Sequence, residues 1–327
     1  MKKLMVAALL LSVLTSATIS TAVAAGAKVG KQTPPLRYFM QSESATVSKT
    51  PYGNNTAAGR YAQADDARIY YEVYKPEKKQ KNVAPVFVFH GGGVGTSFEM
   101  GQLIDSLRKD REVIVVSTRG HGRSEIGHQP LSYEQKADDM MAVIRKETNK
   151  PAVLVGFSDG AYTSYKVASM YPEAVERVVT FGAGALEKGF FSGELKVTDL
   201  EAIDKAFVEQ QKKIMPEPER WQEFCTNYMK FWNRMEVGKE LFSSIQCPVL
   251  LIAGDEDDHA PLVTMVAAHQ MIPNSRLCIV PKAWHTAFLD NYAVTWAAIE
   301  PFLQTELKEL QSSRKVAYND MIIIDRK

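Results

Sequence analysis

The stretch Pro151-Ala-Val-Leu-Val-Gly-Phe-Ser-Asp-Gly160 constrains this chain more than any other. A short apolar run leads straight into Gly-x-Ser-x-Gly, and a helix-forming segment, Ala161 to Met170, follows. A strand that turns directly into a helix makes a tight corner. Gly156 and Gly160 lack a Cβ, so the backbone can fold sharply there and hold Ser158 at the tip with its hydroxyl facing outward. The helix behind it offers backbone N–H groups without helical acceptors, where an oxyanion would form on a group attacked by Ser158. The five-residue pattern alone recurs by chance. Its placement between strand and helix gives it weight.

The amino terminus narrows the setting. Lys2 and Lys3, an apolar run from Leu4 to Leu14, a Ser/Thr-rich stretch and Ala22-Val23-Ala24 are the successive parts of a secretory signal peptide. Residues 1–24 are expected to be removed, giving an exported protein, periplasmic or secreted. The run is shorter than the about 20 residues a bilayer span needs, so no stable membrane insertion is expected after cleavage. Losing Lys2 and Lys3 changes 39 basic against 38 acidic residues to 37 against 38. A near-neutral chain has no electrostatic footprint for nucleic acid or anionic lipid. The three cysteines are an odd number without metal-ligand spacing. Cys247 and Cys278 adjoin expected core strands and read as buried apolar fillers, while the pairing of Cys225 stays open, as does the oligomeric state.

Alternation of short apolar runs with helical segments predicts an α/β fold, a mostly parallel, doubly wound sheet. Arg68–Tyr74 alternates like a half-exposed strand. Val86–Phe89, Val113–Val116, Ala152–Val155, Val178–Phe181, Val249–Ile252 and Leu277–Val280 read as strands covered on both faces. Ser132 with Gln135 is a capping box that opens a helix, Leu262–Gln270 is helical, and a last helix is expected from about Asn291 to Leu310. Residues 60–182 and 247–310 are the expected core. Residues 25–59 read as a loose lead-in and 311–327 as a tail, in which Met321–Ile324 has no clear place. Between 183 and 246 the alternation lapses into helices, Leu200–Ile214 and Trp221–Trp232, with Pro216 and Pro218 between them. Phe190, Phe191, Trp221, Phe224, Tyr228, Phe231 and Trp232 of this expected helical cap either line an apolar pocket or simply pack it onto the core. Phe231 and Trp232 are the candidate substrate contacts.

Four motifs in matching order carry a resemblance. His90-Gly-Gly-Gly93 follows one strand, Arg119-Gly-His-Gly-Arg-Ser124 the next, the Ser158 elbow the third, and Gly254-Asp-Glu-Asp257 with Trp284-His285 follow the last two. In this the chain is similar to the serine hydrolases of the α/β-hydrolase fold, over roughly residues 60–305. The cap segment and the Ser-Asp-Gly elbow resemble the biphenyl-hydrolase-like (valacyclovir hydrolase) group most. The resemblance implies a nucleophile, acid and base in that order. Its Gly-x-x-Asp pattern selects Asp257 among four consecutive carboxylates, Asp255 to Asp258. Those four lack the alternating ligands of a calcium loop, so no metal is expected. Of the histidines after the acid, His259 lies on the same loop and His269 inside a helix, which leaves His285. His90 and His121 read as loop-fixing residues.

The implied chemistry is acyl transfer through Ser158, with His285 as base, Asp257 orienting it, and an oxyanion received by the N–H groups of Gly92 and Asp159, without a cofactor. Ser at the elbow, rather than Asp, argues against the dehalogenase and epoxide-hydrolase branches. A small-molecule ester is the expected substrate, with an amide or lactone as alternatives. A ligand-binding protein on a hydrolase scaffold is the alternative of another class. Asp159 raises a particular question, because its carboxylate would oppose an oxyanion. Either a cationic substrate group, as in an aminoacyl ester, or a lysine or arginine of the protein must offset it.

Overall fold

The computed structural model describes residues 36–42, 48–78 and 83–312. The expected signal peptide and Met321–Ile324 lie outside these residues. Eight strands form one sheet: β1 (Gly59–Ala64), β2 (Ala67–Tyr74), β3 (Val86–Phe89), β4 (Val113–Val116), β5 (Ala152–Phe157), β6 (Val175–Phe181), β7 (Val249–Gly254) and β8 (Ser275–Val280). Their order is β1-β2-β4-β3-β5-β6-β7-β8. The β1–β2 hairpin and the β2–β4 pair are antiparallel and the other pairs parallel. Successive residues of each central strand enter opposite cores, as the two-residue strand period requires. Leu154 and Phe87 join Tyr165, Met140 and Met265 on one face, while Val153 and Val88 join Leu103, Ile104 and Ile299 on the other. Parallel pairing sends the ends of β3, β5, β6, β7 and β8 to one edge, the edge where open α/β sheets bind ligands.

Between β6 and β7 the chain is helical: Val197–Ile203, Lys205–Ile214, Trp221–Trp232 and Lys239–Ser244. A single antiparallel bridge, Leu186 with Val237, closes its base. Phe207, Val208, Trp221, Phe224, Cys225 and Tyr228 give the insertion a small core of its own. The expected helix Leu200–Ile214 is two helices. Asp204 separates them, and its carboxylate caps the second by accepting the N–H of Phe207 (3.1 Å). No helix among the described residues is long and apolar enough to cross a membrane.

Several expectations change. β2 is buried on both faces apart from Arg68, which is exposed, and Val73, which is half-buried. Residues 48–58, expected to be loose, pack against the sheet: Tyr52 is fully buried, and the N–H groups of Gly53 (3.0 Å) and Asn55 (2.7 Å) bond Glu72 of β2. β8, expected to be covered on both faces, is an edge strand with Ile279 exposed and Cys278 half-buried. Cys225 and Cys247 are buried, and all three thiols are free. Only one half of the box at Ser132 forms. Its Oγ accepts the Gln135 N–H (3.1 Å), but the Gln135 side chain turns to Asp139. The last helix stops at Gln304 and resumes at Leu307. Two arginines take its last carbonyls, Arg177 those of Phe302 (2.6 Å) and Thr305 (2.9 Å) and Arg111 that of Leu303 (2.8 Å).

Candidate active site

β5 ends at Phe157 and a helix begins at Asp159, so Ser158 alone forms the corner. Its φ of 51° and ψ of −115° lie outside the regions that side-chain-bearing residues favour, a conformation that costs on the order of 1–3 kcal/mol and that surrounding structure must hold. The flanking glycines serve close approach. A Cβ on Gly160 would fall 2.3 Å from the Phe89 carbonyl oxygen, and one on Gly156 2.4 Å from that of Gly160. The Ser158 N–H bonds the carbonyl of Phe181 (2.8 Å), tying the elbow to the end of β6. Ser158 Oγ has no hydrogen-bond partner among the described residues. Such contacts often tighten only with substrate bound.

The loop after β7 carries four carboxylates, and Asp257 is the one on His285. Its Oδ2 lies 2.8 Å and its Oδ1 3.0 Å from Nδ1, while Asp255 accepts the N–H of Ala283 and Asp258 faces His259. Asp257 Oδ1 also accepts the N–H groups of His259 (2.8 Å) and Ala260 (2.9 Å). Burial alone would raise its pKa, but His285 and these two donors outweigh burial and hold the carboxyl below its ordinary value. Two neighbours hold the imidazole, Gly182, which the sequence did not single out, and His259, which it set aside as a base. Gly182, with φ 58°, packs so closely that a Cβ there would lie 2.8 Å from His285 Nδ1. The His259 ring stacks on His285 with centroids 4.8 Å apart. Ser158, Phe181, Gly182 and His285 therefore form a continuous contact path at the sheet edge. Among the described residues, Asp257, His259 and His285 are the group whose ligand atoms come close enough together for a metal, within 4.8 Å. Asp257 and His285 already satisfy each other there.

Asp159 is buried, and the protein supplies its countercharge. Lys136 Nζ bonds its Oδ2, while Tyr133 Oη (3.0 Å) and the Trp232 indole N–H (3.4 Å) donate to Oδ1. Burial favours the protonated acid, but the charge and hydrogen bond of Lys136, with the Tyr228 hydroxyl, hold the carboxyl below its ordinary value. Of the two ways expected to offset the Asp159 charge, a cation on the substrate or one on the protein, the structure holds the second, Lys136. The sequence pattern did not point to Lys136, which lies on a different helix.

Gly92 lies beside Asp159. A Cβ on Gly92 would fall 2.9 Å from Asp159 Cβ, 2.4 Å from Tyr228 Oη and 2.7 Å from Trp232 Cζ2. His90 fixes this loop: its Nε2 accepts the Thr118 N–H (3.1 Å), so its proton sits on Nδ1 and is donated to the Gly91 carbonyl (2.6 Å). His121 Nδ1 bonds the Arg119 carbonyl (3.1 Å). Of the candidate aromatics, Trp221, Phe224 and Tyr228 are buried within the insertion, whereas Phe190, Phe191, Phe231 and Trp232 are half-buried. Trp232 stacks against Phe191 (5.5 Å) and covers Gly92. A cavity of about 270 Å³ beside Phe224 and Phe231 is not lined by Ser158, Gly92 or His285.

Residues 86–298 match the alpha/beta hydrolase family. Among curated relatives, the serine hydrolase BPHL of Homo sapiens is 23% identical over 211 residues, 58% of this chain and 69% of that one. The 2-(acetamidomethylene)succinate hydrolase of Mesorhizobium japonicum is 23% identical over 253 residues, 69% of this chain and 90% of that one. Matches of this kind span from 41% to 90% of the relatives' lengths. Among solved structures, a serine hydrolase involved in carbazole degradation superposes with a TM-score of 0.63 at 20% identity, covering 75% of this chain and 98% of its own. That likeness is one of fold.

Proposed function

This chain belongs to the alpha/beta hydrolase family, and on that footing we propose that it is a serine hydrolase cleaving carboxylic esters of small molecules through an acyl-serine. One observation carries the reading: the strained Ser158 corner and the Asp257–His285 pair share a sheet edge, linked through Phe181 and Gly182. In this mechanism Ser158 Oγ attacks the ester carbonyl and His285 takes its proton. Asp257, kept ionised by its donors, holds the imidazole with Nδ1 protonated and stabilises the imidazolium. The N–H groups of Gly92 and Asp159 receive the oxyanion, each worth about 10²–10³ in turnover. His285 then protonates the leaving alcohol, and water it activates clears the acyl group. Because Lys136 already neutralises Asp159, the charge argument for aminoacyl esters lapses, and esters without an amino group are the proposed substrates.

Fluorophosphonate labelling, together with hydrolysis of p-nitrophenyl esters, aminoacyl amides and lactones, tests this. Labelling and ester turnover are expected in the wild type. Both should vanish in Ser158→Ala, and turnover should fall severely in His285→Ala and Asp257→Asn. Full turnover by Ser158→Ala would refute the reading. Export is proposed with it, and mass spectrometry of the protein recovered from its native host should find an N-terminus at or near Ala25. Intact Met1 would speak against export.

A further inference from the structure

Lys136 stands near the start of the helix Tyr133–Glu147, and its side chain is 2% exposed. Burying an ammonium and a carboxylate together is costly, and well-packed apolar side chains of similar volume often do as well or better for stability. The location of this pair is therefore informative. Asp159 directly follows the elbow serine. Lys136 Nζ donates to Asp159 and to Tyr228 Oη (2.7 Å), and lies 4.5 Å from the centre of the Tyr228 ring. Tyr228 and Trp232, the two insertion side chains that crowd Gly92, are also the two that reach the pair. One buried cluster thus touches both residues assigned to the oxyanion and the helix Trp221–Trp232 that covers them.

We propose that Lys136 is a positioning residue for the oxyanion site: its ammonium cancels the carboxylate beside the nucleophile and, through Asp159 and Tyr228, fixes Gly92, the Asp159 N–H and the covering helix in one arrangement. The inference rests on Ser158 being the nucleophile. Without Lys136, a carboxylate a few ångströms from the developing oxyanion would slow the reaction about a hundredfold at an effective dielectric of about 20. A buried Asp159 without its countercharge would escape that penalty only by taking a proton. Its folded pKa would then lie above its unfolded one, so stability and rate would both be present at low pH and lost as pH rises through the raised value. The other titratable groups facing Asp159 are Tyr133, Tyr228, Tyr162, His90 and His121. Burial pushes the three phenols well above their ordinary range, lowers His90 to about 4 and holds His121 well below its ordinary value. A new limb between pH 5 and 9 would therefore belong to Asp159.

The experiment compares wild type, Lys136→Met and the double variant Lys136→Met/Asp159→Asn in kcat, KM and melting temperature from pH 5 to pH 9. In Lys136→Met, kcat should fall about a hundredfold at pH 8 and much less at pH 5.5, with KM for a small ester little changed and melting temperature declining more steeply with pH than in the wild type. The double variant should lose that pH limb and recover to within about tenfold of wild type. Retention of wild-type kcat by Lys136→Met across the range would overturn the inference. So would a double variant that melts like wild type yet remains as slow as the single. Should Lys136→Met not fold, the double variant decides alone. A wild-type enzyme that resists fluorophosphonate would overturn the nucleophile reading and this inference with it, whereas failure of the inference alone leaves labelling intact.

Discussion

Gly182 shows how tightly the His285 imidazole is held. It is the first residue after β6, its φ is 58°, and a Cβ added there would sit 2.8 Å from both Cε1 and Nδ1 of His285 and 3.2 Å from Asp257 Oδ2. Those separations are below van der Waals contact, so Gly182→Ala must push the imidazole away from Asp257 or shift the end of β6. Misplacing a catalytic group by an ångström costs about a hundredfold in rate. Gly182→Ala should therefore lower kcat and the rate of fluorophosphonate labelling together, by that order, with KM nearly unchanged. Wild-type rates in that variant would mean the imidazole is not confined by Gly182. The sequence could offer Ser158, Asp257 and His285 because each lies in a motif with a fixed place at a strand end. It could not offer Gly182 or Lys136, nor the stacking of His259 on His285, because these come from contacts made only when separate strand ends and helices converge.

The short helical turn Ser97–Met100 carries a buried acid of a different kind. Glu99 Oε1 accepts the N–H of Thr96 (3.3 Å), and its carboxyl also accepts the N–H of Gly91 in the loop preceding Gly92. Burial outweighs these two donors and pushes its pKa up to about 8. Because the folded value lies above the unfolded one, the stability tied to the protonated acid is complete below about pH 4.5 and lost as pH rises through about 8. The loss amounts to a few kcal/mol, since each tenfold change in proton affinity is worth about 1.4 kcal/mol. Melting temperature should therefore fall between pH 5 and 8 in the wild type and much less in Glu99→Gln. Parallel curves would show that Glu99 is ionised in the folded protein. The same reasoning explains which elements the sequence displayed. Central strands were legible because an unbroken apolar run has few other uses, whereas β8 has a similar run but an edge position, which only the strand order reveals. β2 alternated as a half-exposed strand does, yet its polar-looking face, with Tyr70, Glu72 and Tyr74, is covered by residues 48–58. Glu72 is tolerated there because Gly53, Asn55, Tyr70 and Tyr74 all donate to it.

The residues before β1 join parts of the protein that the sheet alone leaves separate. Residues 48–58 lie on the sheet, where Tyr52 Oη bonds Asp105 (2.5 Å) and Arg123 bonds Asn54 (2.6 Å). Residues 36–42 lie instead on the helical insertion. Arg37 Nε (3.0 Å) and the Met40 N–H (2.9 Å) donate to Asp204, and the ring of Phe39 packs edge-on against Phe207 (5.3 Å). Asp204 is thus the helix cap for Phe207 and the anchor for the amino-terminal segment at once. Composition concealed this, because a stretch rich in Ala, Thr, Ser, Gly and Lys reads as loose whether or not a carboxylate elsewhere in the chain waits to receive its N–H groups. If the segment tethers the insertion over the candidate active site, deleting residues 36–42 should raise amide exchange in Val197–Trp232 while exchange in β3 to β7 stays as it was. Asp204→Ala should do the same and lower stability by about 1–2 kcal/mol, as loss of a helix cap does. Arg37→Ala should do much less, because the arginine is partly exposed and such pairs are worth about 0–1 kcal/mol. Unaltered exchange in Val197–Trp232 after the deletion would show that the insertion is held by its own contacts with the core, among them the Lys136–Asp159–Tyr228 cluster.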